Sequence, residues 1–175
     1  MFSFSKMSKL KKFLYTGLFF SLLVVALGAC STEAEDDTNY EGALPDGLVG
    51  KWVSGIGDSF EITRASGVET IIYDDGGFGF GYTGTVRFVS NFDSRSGVII
   101  IQYVTGASDA SKPYHAVFYL NFAGSTVELN NSSDATREDW NADTASLAEA
   151  KEKFTRGKMG DYMDLSYSTP YTKEN

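Results

Sequence analysis

The chain has one cysteine, Cys30, and one histidine, His115, in 175 residues. A single cysteine excludes a disulfide within the chain, so any folded domain is held by its own core. A single histidine excludes the paired-histidine motifs of zinc peptidases, and no Gly-x-Ser-x-Gly elbow is present. The neighbouring carboxylates Asp74-Asp75 and Glu138-Asp139 fall in turn or loop sequence, where solvated acids are the rule. No catalytic constellation emerges, so neither an enzyme nor a cofactor is expected. Basic charge is scarce as well, with 15 Lys and Arg against 23 Asp and Glu. Such a surface repels nucleic acid and anionic headgroups.

The beginning of the chain has a different character. Lys6, Lys9, Lys11 and Lys12 precede an apolar segment, 13–27, broken only by Thr16, Gly17 and Ser21, and Gly28-Ala29 follows. That order is an export signal, and the run falls short of the roughly 20 apolar residues a comfortable span needs. Leu27-Gly28-Ala29-Cys30 resembles the lipobox of bacterial lipoproteins. The resemblance implies that the Cys30 thiol receives diacylglycerol, that the chain is cut before it, and that acyl chains on Cys30 attach the protein to a membrane. An ordinary export signal or an uncleaved anchor would leave unexplained why the only cysteine falls one step past an apolar run. Loss of residues 1–29 removes four lysines, leaving 11 basic against 23 acidic residues, a net of −12. Residues 30–43 then read as a lipidated cysteine followed by a disordered acidic tether. Ser31 after the cysteine resembles the pattern of lipoproteins moved to an outer membrane, which implies a lipid-anchored place in the cell envelope.

Residues 44–175 form the expected domain. Segments 47–54, 59–64, 68–73, 80–91, 98–104, 115–122, 126–130 and 162–167 alternate with period two and are rich in Val, Ile, Thr, Phe and Tyr. One helix is expected at "SLAEAKEKFTRG". Ser146 and Glu149 have capping-box spacing, Leu147, Ala150 and Phe154 share a face, and Gly157 supplies a stop. About eight antiparallel strands in meander order, with one helix before the last, are expected to close into an up-and-down barrel.

"GLVGKWVS", with Gly50-Lys51-Trp52 on the first strand, a meander and a late helix, resembles the lipocalin and calycin group. The resemblance implies a tryptophan closing one end of the barrel. With the last strand at 162–167, the basic residue that such proteins set over the tryptophan has no counterpart, because Ser168, Thr169, Pro170 and Tyr171 follow. Taken with the lipobox, "LPDGLVGKW" and Ser168-Thr169-Pro170-Tyr171-Thr172-Lys173, the chain resembles spirochaete lipoproteins with a lipocalin-like domain. That resemblance implies an anchor and a fold, and carries no activity.

An eight-stranded barrel either fills with side chains or holds one small ligand. Alternation places Phe60, Ile62, Phe80, Tyr82, Val86, Phe88, Ile99, Ile101, Phe118, Leu120, Phe122, Val127 and Leu129 inside. Phe80, Tyr82, Phe88, Phe118 and Phe122 are the candidate contacts for a small apolar ligand. The alternative is a filled barrel serving as scaffold for a protein partner, including a host protein, through loop-tip aromatics Trp140, Tyr114 and Phe78. Two further motifs are set aside. Gly79-Phe80-Gly81-Tyr82-Thr83-Gly84 spells Gly-x-Gly-x-x-Gly but is followed by a strand pattern where a dinucleotide site needs a helix. Asp139, Asn141 and Asp143 begin like a calcium loop, yet Thr144 and Ala150 stand where glycine and glutamate are required. His115, at a strand start, reads as a surface or rim residue.

Overall fold

The computed structural model describes residues 40–134, 142–163 and 168–175. The export signal, Cys30, most of the expected tether, Asp139, Trp140 and Asn141 lie outside the described residues. The elements are β1 (Tyr40–Glu41), β2 (Gly50–Ser54), β3 (Ser59–Ala65), β4 (Val68–Asp74), β5 (Tyr82–Asn91), β6 (Gly97–Thr105), β7 (Tyr114–Leu120), β8 (Thr126–Asn131), α1 (Leu147–Lys153), α2 (Met159–Tyr162) and β9 (Pro170–Lys173). Strands β2 to β9 each pair antiparallel with the next, and β9 returns to β2, closing an eight-stranded barrel. The up-and-down barrel expected from the alternating segments is therefore present.

Two boundaries differ from the sequence reading. Ordered pairing begins before Leu44: Tyr40 and Glu41 face Asn91 and Ser90 on β5, and the Gly42 amide donates to the Val89 carbonyl at 3.0 Å. The final strand is Pro170–Lys173, whereas the expected strand at 162–167 starts inside α2, and residues 164–167 lie outside the described ones. Pro170 opens the strand, a position where its missing N–H costs no ladder bond. Moving the strand restores the missing basic residue. Lys173 pairs with Trp52, its Nζ stands 5.3 Å from the indole centroid, and it donates to the Gly47 carbonyl at 2.8 Å. Trp52 Nε1 donates to the Leu48 carbonyl at 2.8 Å, so the buried indole is satisfied.

The core has two parts. Inside the barrel, Trp52, Phe60, Ile62, Ile71, Ile99, Ile101, Val117, Tyr119 and Leu129 pack together. Outside it, Val98, Ile100, Ala116 and Phe118 on β6 and β7 pack against Ala150 and Phe154 from the helical segment. These two strands are buried on both faces, so their apolar runs are continuous and carry no phase. A bulge between Val86 and Phe88 reverses the phase of β5, turning Val89 inward and Phe88 onto the outer cluster. Phe118 and Leu120, expected inside, are likewise in the outer cluster.

Helix α1 forms where expected. The Ser146 hydroxyl accepts from the Glu149 amide at 3.2 Å, while Glu149 accepts from the Ala145 amide at 3.1 Å. The helix ends at Phe154, and Gly157 lies within a 3-10 turn, Arg156–Lys158, rather than providing the stop.

Gly97 fits a place with no room for a side chain. A Cβ there would stand 2.4 Å from the Ser90 carbonyl oxygen and 2.5 Å from the Tyr119 hydroxyl. Gly97→Ala is expected to cost about 1–3 kcal/mol through overpacking, measured by urea unfolding. Gly55→Ala, where a Cβ would meet nothing within 4 Å, serves as the control and should stay close to the parent.

Candidate functional site

The ends of the barrel differ. At one end Leu44 and Leu48 lie buried beside Trp52, and Phe122 meets the indole edge-on at 6.2 Å, so that end is plugged. At the other, the walls line an open cavity of about 530 Å³ between the start of β5, the ends of β6 and β8, the start of β7 and the segment before α1. Below this mouth the interior is filled by Phe60, Ile62, Ile71, Ile99, Ile101, Val117 and Tyr119.

A polar cluster forms the cavity floor. Successive residues of β7 alternate in direction, so with Val117 and Tyr119 inside, His115 also points inward. Its Nδ1 lies 2.7 Å from Asp143 Oδ1 and its Nε2 meets the Asn131 side-chain amide at 3.1 Å. The Tyr82 hydroxyl donates to Asn131 Oδ1 at 2.6 Å. Tyr103 stacks on the imidazole at 5.5 Å and points its hydroxyl toward Asp143 Oδ1 at 3.5 Å. Backbone bonds between Tyr114 and Thr144, 2.9 and 3.2 Å long, hold the Asp143 segment against β7. Ser132 Oγ lies 3.3 Å from His115 Nδ1, the same nitrogen that faces Asp143. In a Ser-His-Asp relay the two partners take opposite ring nitrogens, so these three residues are wired differently. Among the described residues, no group of three or more His, Cys, Asp or Glu side chains is arranged to hold a metal ion.

The loop between β4 and β5 forms one rim. The Asp75 carboxylate accepts from the amides of Gly77, at 3.1 Å, and Phe80. Burial works to raise the Asp75 pKa, but the amides of Phe80, Gly79, Gly77 and Phe78 outweigh it and hold the group below its ordinary range. With its amide turned to Asp75, Phe80 is drawn out of the strand, which begins only at Tyr82.

The ligand candidates from the sequence are thus dispersed. Tyr82 lies inside and lines the cavity, and Phe80 is 78% exposed at its rim. Phe122 sits at the plugged end, while Phe88 and Phe118 face outward beneath the helical segment. Tyr114 is partly buried in the outer cluster, Phe78 is 81% exposed, and His115 is buried instead of lying on the surface. Sequence reasoning passed over Tyr73, Tyr103, Asn131, Ser132 and the role of Asp143. The usable signal was the lone histidine at the start of a strand, since an inward imidazole needs polar partners.

Comparison with known proteins yields no match to a family model, a curated protein or a solved structure. The site therefore rests on its own geometry.

Burial, followed by the charges of Asp58, Asp75 and Asp74, pushes the Tyr73 phenol up to about 12. Burial is also the leading cause that raises Tyr82, Tyr103, Tyr119 and Tyr171. Because the fold favours the neutral phenols, their contribution is complete below the ordinary value of 10.0 and is lost as pH rises toward and beyond 12. Ultraviolet titration should show these five of the ten tyrosines ionising only as the barrel unfolds. All tyrosines titrating together near 10 in an intact barrel would contradict this environment.

Proposed function

We propose that this chain is a lipoprotein of the bacterial cell envelope, lipidated at Cys30 and held at the outer membrane, whose lipocalin-like barrel binds one small ligand without catalysing its conversion. The observation that carries the binding role is the cavity of about 530 Å³ at one end of an otherwise filled barrel. That volume lies within the usual range for small-molecule sites, and its lining combines aromatic rings with a few convergent polar groups. Support for the lipocalin likeness comes from the eight-stranded closure and from Lys173 over Trp52. The chain enters the barrel at the plugged end, through Leu44 and Leu48, opposite the mouth.

The ligand envisaged here differs from the wholly apolar one expected from the sequence. His115, Asn131, Ser132 and Asp143 line the cavity, so a ligand carrying a polar group beside its apolar part matches the lining better than a wholly apolar one. A second reading, a scaffold for a protein partner, draws on Ile56 and Phe78, which are 79% and 81% exposed at the mouth end.

Labelling with radioactive palmitate in the native bacterium should mark the protein and fail with Cys30→Ser. A native mass spectrum of the protein extracted from its own membrane should then carry a non-covalent addition that disappears on denaturation. Labelling that survives Cys30→Ser would refute the anchor, and a bare polypeptide would favour the scaffold reading over the ligand.

A further inference from the structure

Most of the polar capacity around the mouth is already taken up within the protein. His115 faces Asp143 with one ring nitrogen and Asn131 with the other, at 2.7 and 3.1 Å. Tyr103 stacks on the imidazole, and the Ser132 hydroxyl oxygen accepts from the Ala116 amide at 3.3 Å. Ser108 and Asp143 are engaged by other groups as well.

Three groups of the cavity wall are left over. Val127 and Leu129 on β8 lie in the core, so by alternation Asn131 points the same way and reaches the mouth. Asn131 Oδ1 accepts the Tyr82 hydroxyl proton at 2.6 Å, and Tyr82 is only 6% exposed. Turning the amide round would leave that buried proton without an acceptor, which fixes Oδ1 toward Tyr82. The amide nitrogen, Nδ2, then has two protons to give and no hydrogen-bond partner among the described residues. The Tyr73 hydroxyl is also without one among them. Burial, followed by the charges of Asp58, Asp75 and Asp74, pushes this phenol up to about 12, so it keeps its proton. The third group is Phe80, whose ring is 78% exposed and has no ring packed against it among the described residues.

We propose that the mouth takes an uncharged molecule made of a flat unsaturated ring and a carbonyl-type acceptor, with the ring against Phe80 and the acceptor toward Asn131 Nδ2 and the Tyr73 hydroxyl. This rests on the ligand-binding reading above and names the class of ligand. A hydrocarbon would meet Phe80 and give neither donor an acceptor. An ammonium brings protons of its own and cannot accept from either. A carboxylate could accept, but the acidic charges that act on the Tyr73 phenol oppose a further negative charge beside it. A flat ring answers Phe80, because aromatic pairs gain from offset or edge-on contact beyond the area they bury.

The test is calorimetric titration of the intact protein in detergent, with micelle partition subtracted, against four probes that share one ring system. These are naphthalene-2-carboxamide, naphthalene, 2-naphthoate and 2-naphthylmethylammonium. The carboxamide is expected to bind about fivefold more tightly than each of the other three, the effect of one net neutral hydrogen bond. Asn131→Asp keeps an oxygen for the Tyr82 hydroxyl and removes the amide protons, so it should erase that preference. Phe80→Leu, on an exposed side chain, should weaken the carboxamide about threefold. Circular dichroism establishes that each variant is folded. Another probe bound as tightly as the carboxamide overturns the acceptor assignment and leaves the ligand-binding reading standing. A preference that survives Asn131→Asp, or an affinity unchanged by Phe80→Leu, overturns the placement. Absence of binding by all four probes overturns this assignment, and a bare native mass in addition overturns the reading beneath it.

Discussion

Closure of the barrel by β9 is the constraint on which the other features depend. This strand is only four residues long, yet it pairs with β8 on one side and β2 on the other, removing the two edges that an open sheet would present. No disulfide can hold it in place, so its register is set by side chains. Tyr171 meets Phe60 edge-on at 5.3 Å and donates its hydroxyl to Asp58 at 2.6 Å toward the mouth. Lys173 lies over Trp52 at the plugged end. A strand this short is pinned at both ends by groups whose partners lie more than a hundred residues away in sequence.

A closed sheet of eight strands has a narrow interior, and large side chains fill it up to the level of Tyr82. Polar residues are tolerated above that level because they satisfy one another. His115, Asn131, Asp143, Tyr82 and Tyr103 form one connected group, and the bridge from Thr144 to Tyr114 holds Asp143 beside it. The mouth therefore depends on the segment before α1 as well as on the strands. The outer cluster beneath Ala150 and Phe154 shapes the mouth indirectly, since it packs the helical segment and Ala142 against β6 and β7.

The class of fold was legible because most strands alternate and are separated by turn sequence, and α1 was legible from its cap and apolar face. Less could be read where one pattern serves two physical situations. "VIII" on β6 and "HAVFYL" on β7 are buried on both faces, so alternation could not assign Phe118 to the outside. The bulge near Arg87 inserts one residue and reverses every later assignment on β5, which moved Phe88. Phe80 was misplaced because a side chain, Asp75, captures its backbone amide. The last strand was missed because Pro170 reads as a breaker, although the first position of a strand accommodates it. The cluster at the mouth joins residues from five separate stretches of chain, and only closure brings them together.

The account turns on whether the mouth is the occupied part of the molecule. The most direct measurement is a crystal structure of the protein purified gently from its native source. The account predicts non-protein electron density between Tyr103, His115 and Phe80, with Phe88 and Phe118 untouched by ligand beneath the helical segment. A mouth containing only water, with ligand density at Phe88 and Phe118 or at no place in the barrel, would contradict it.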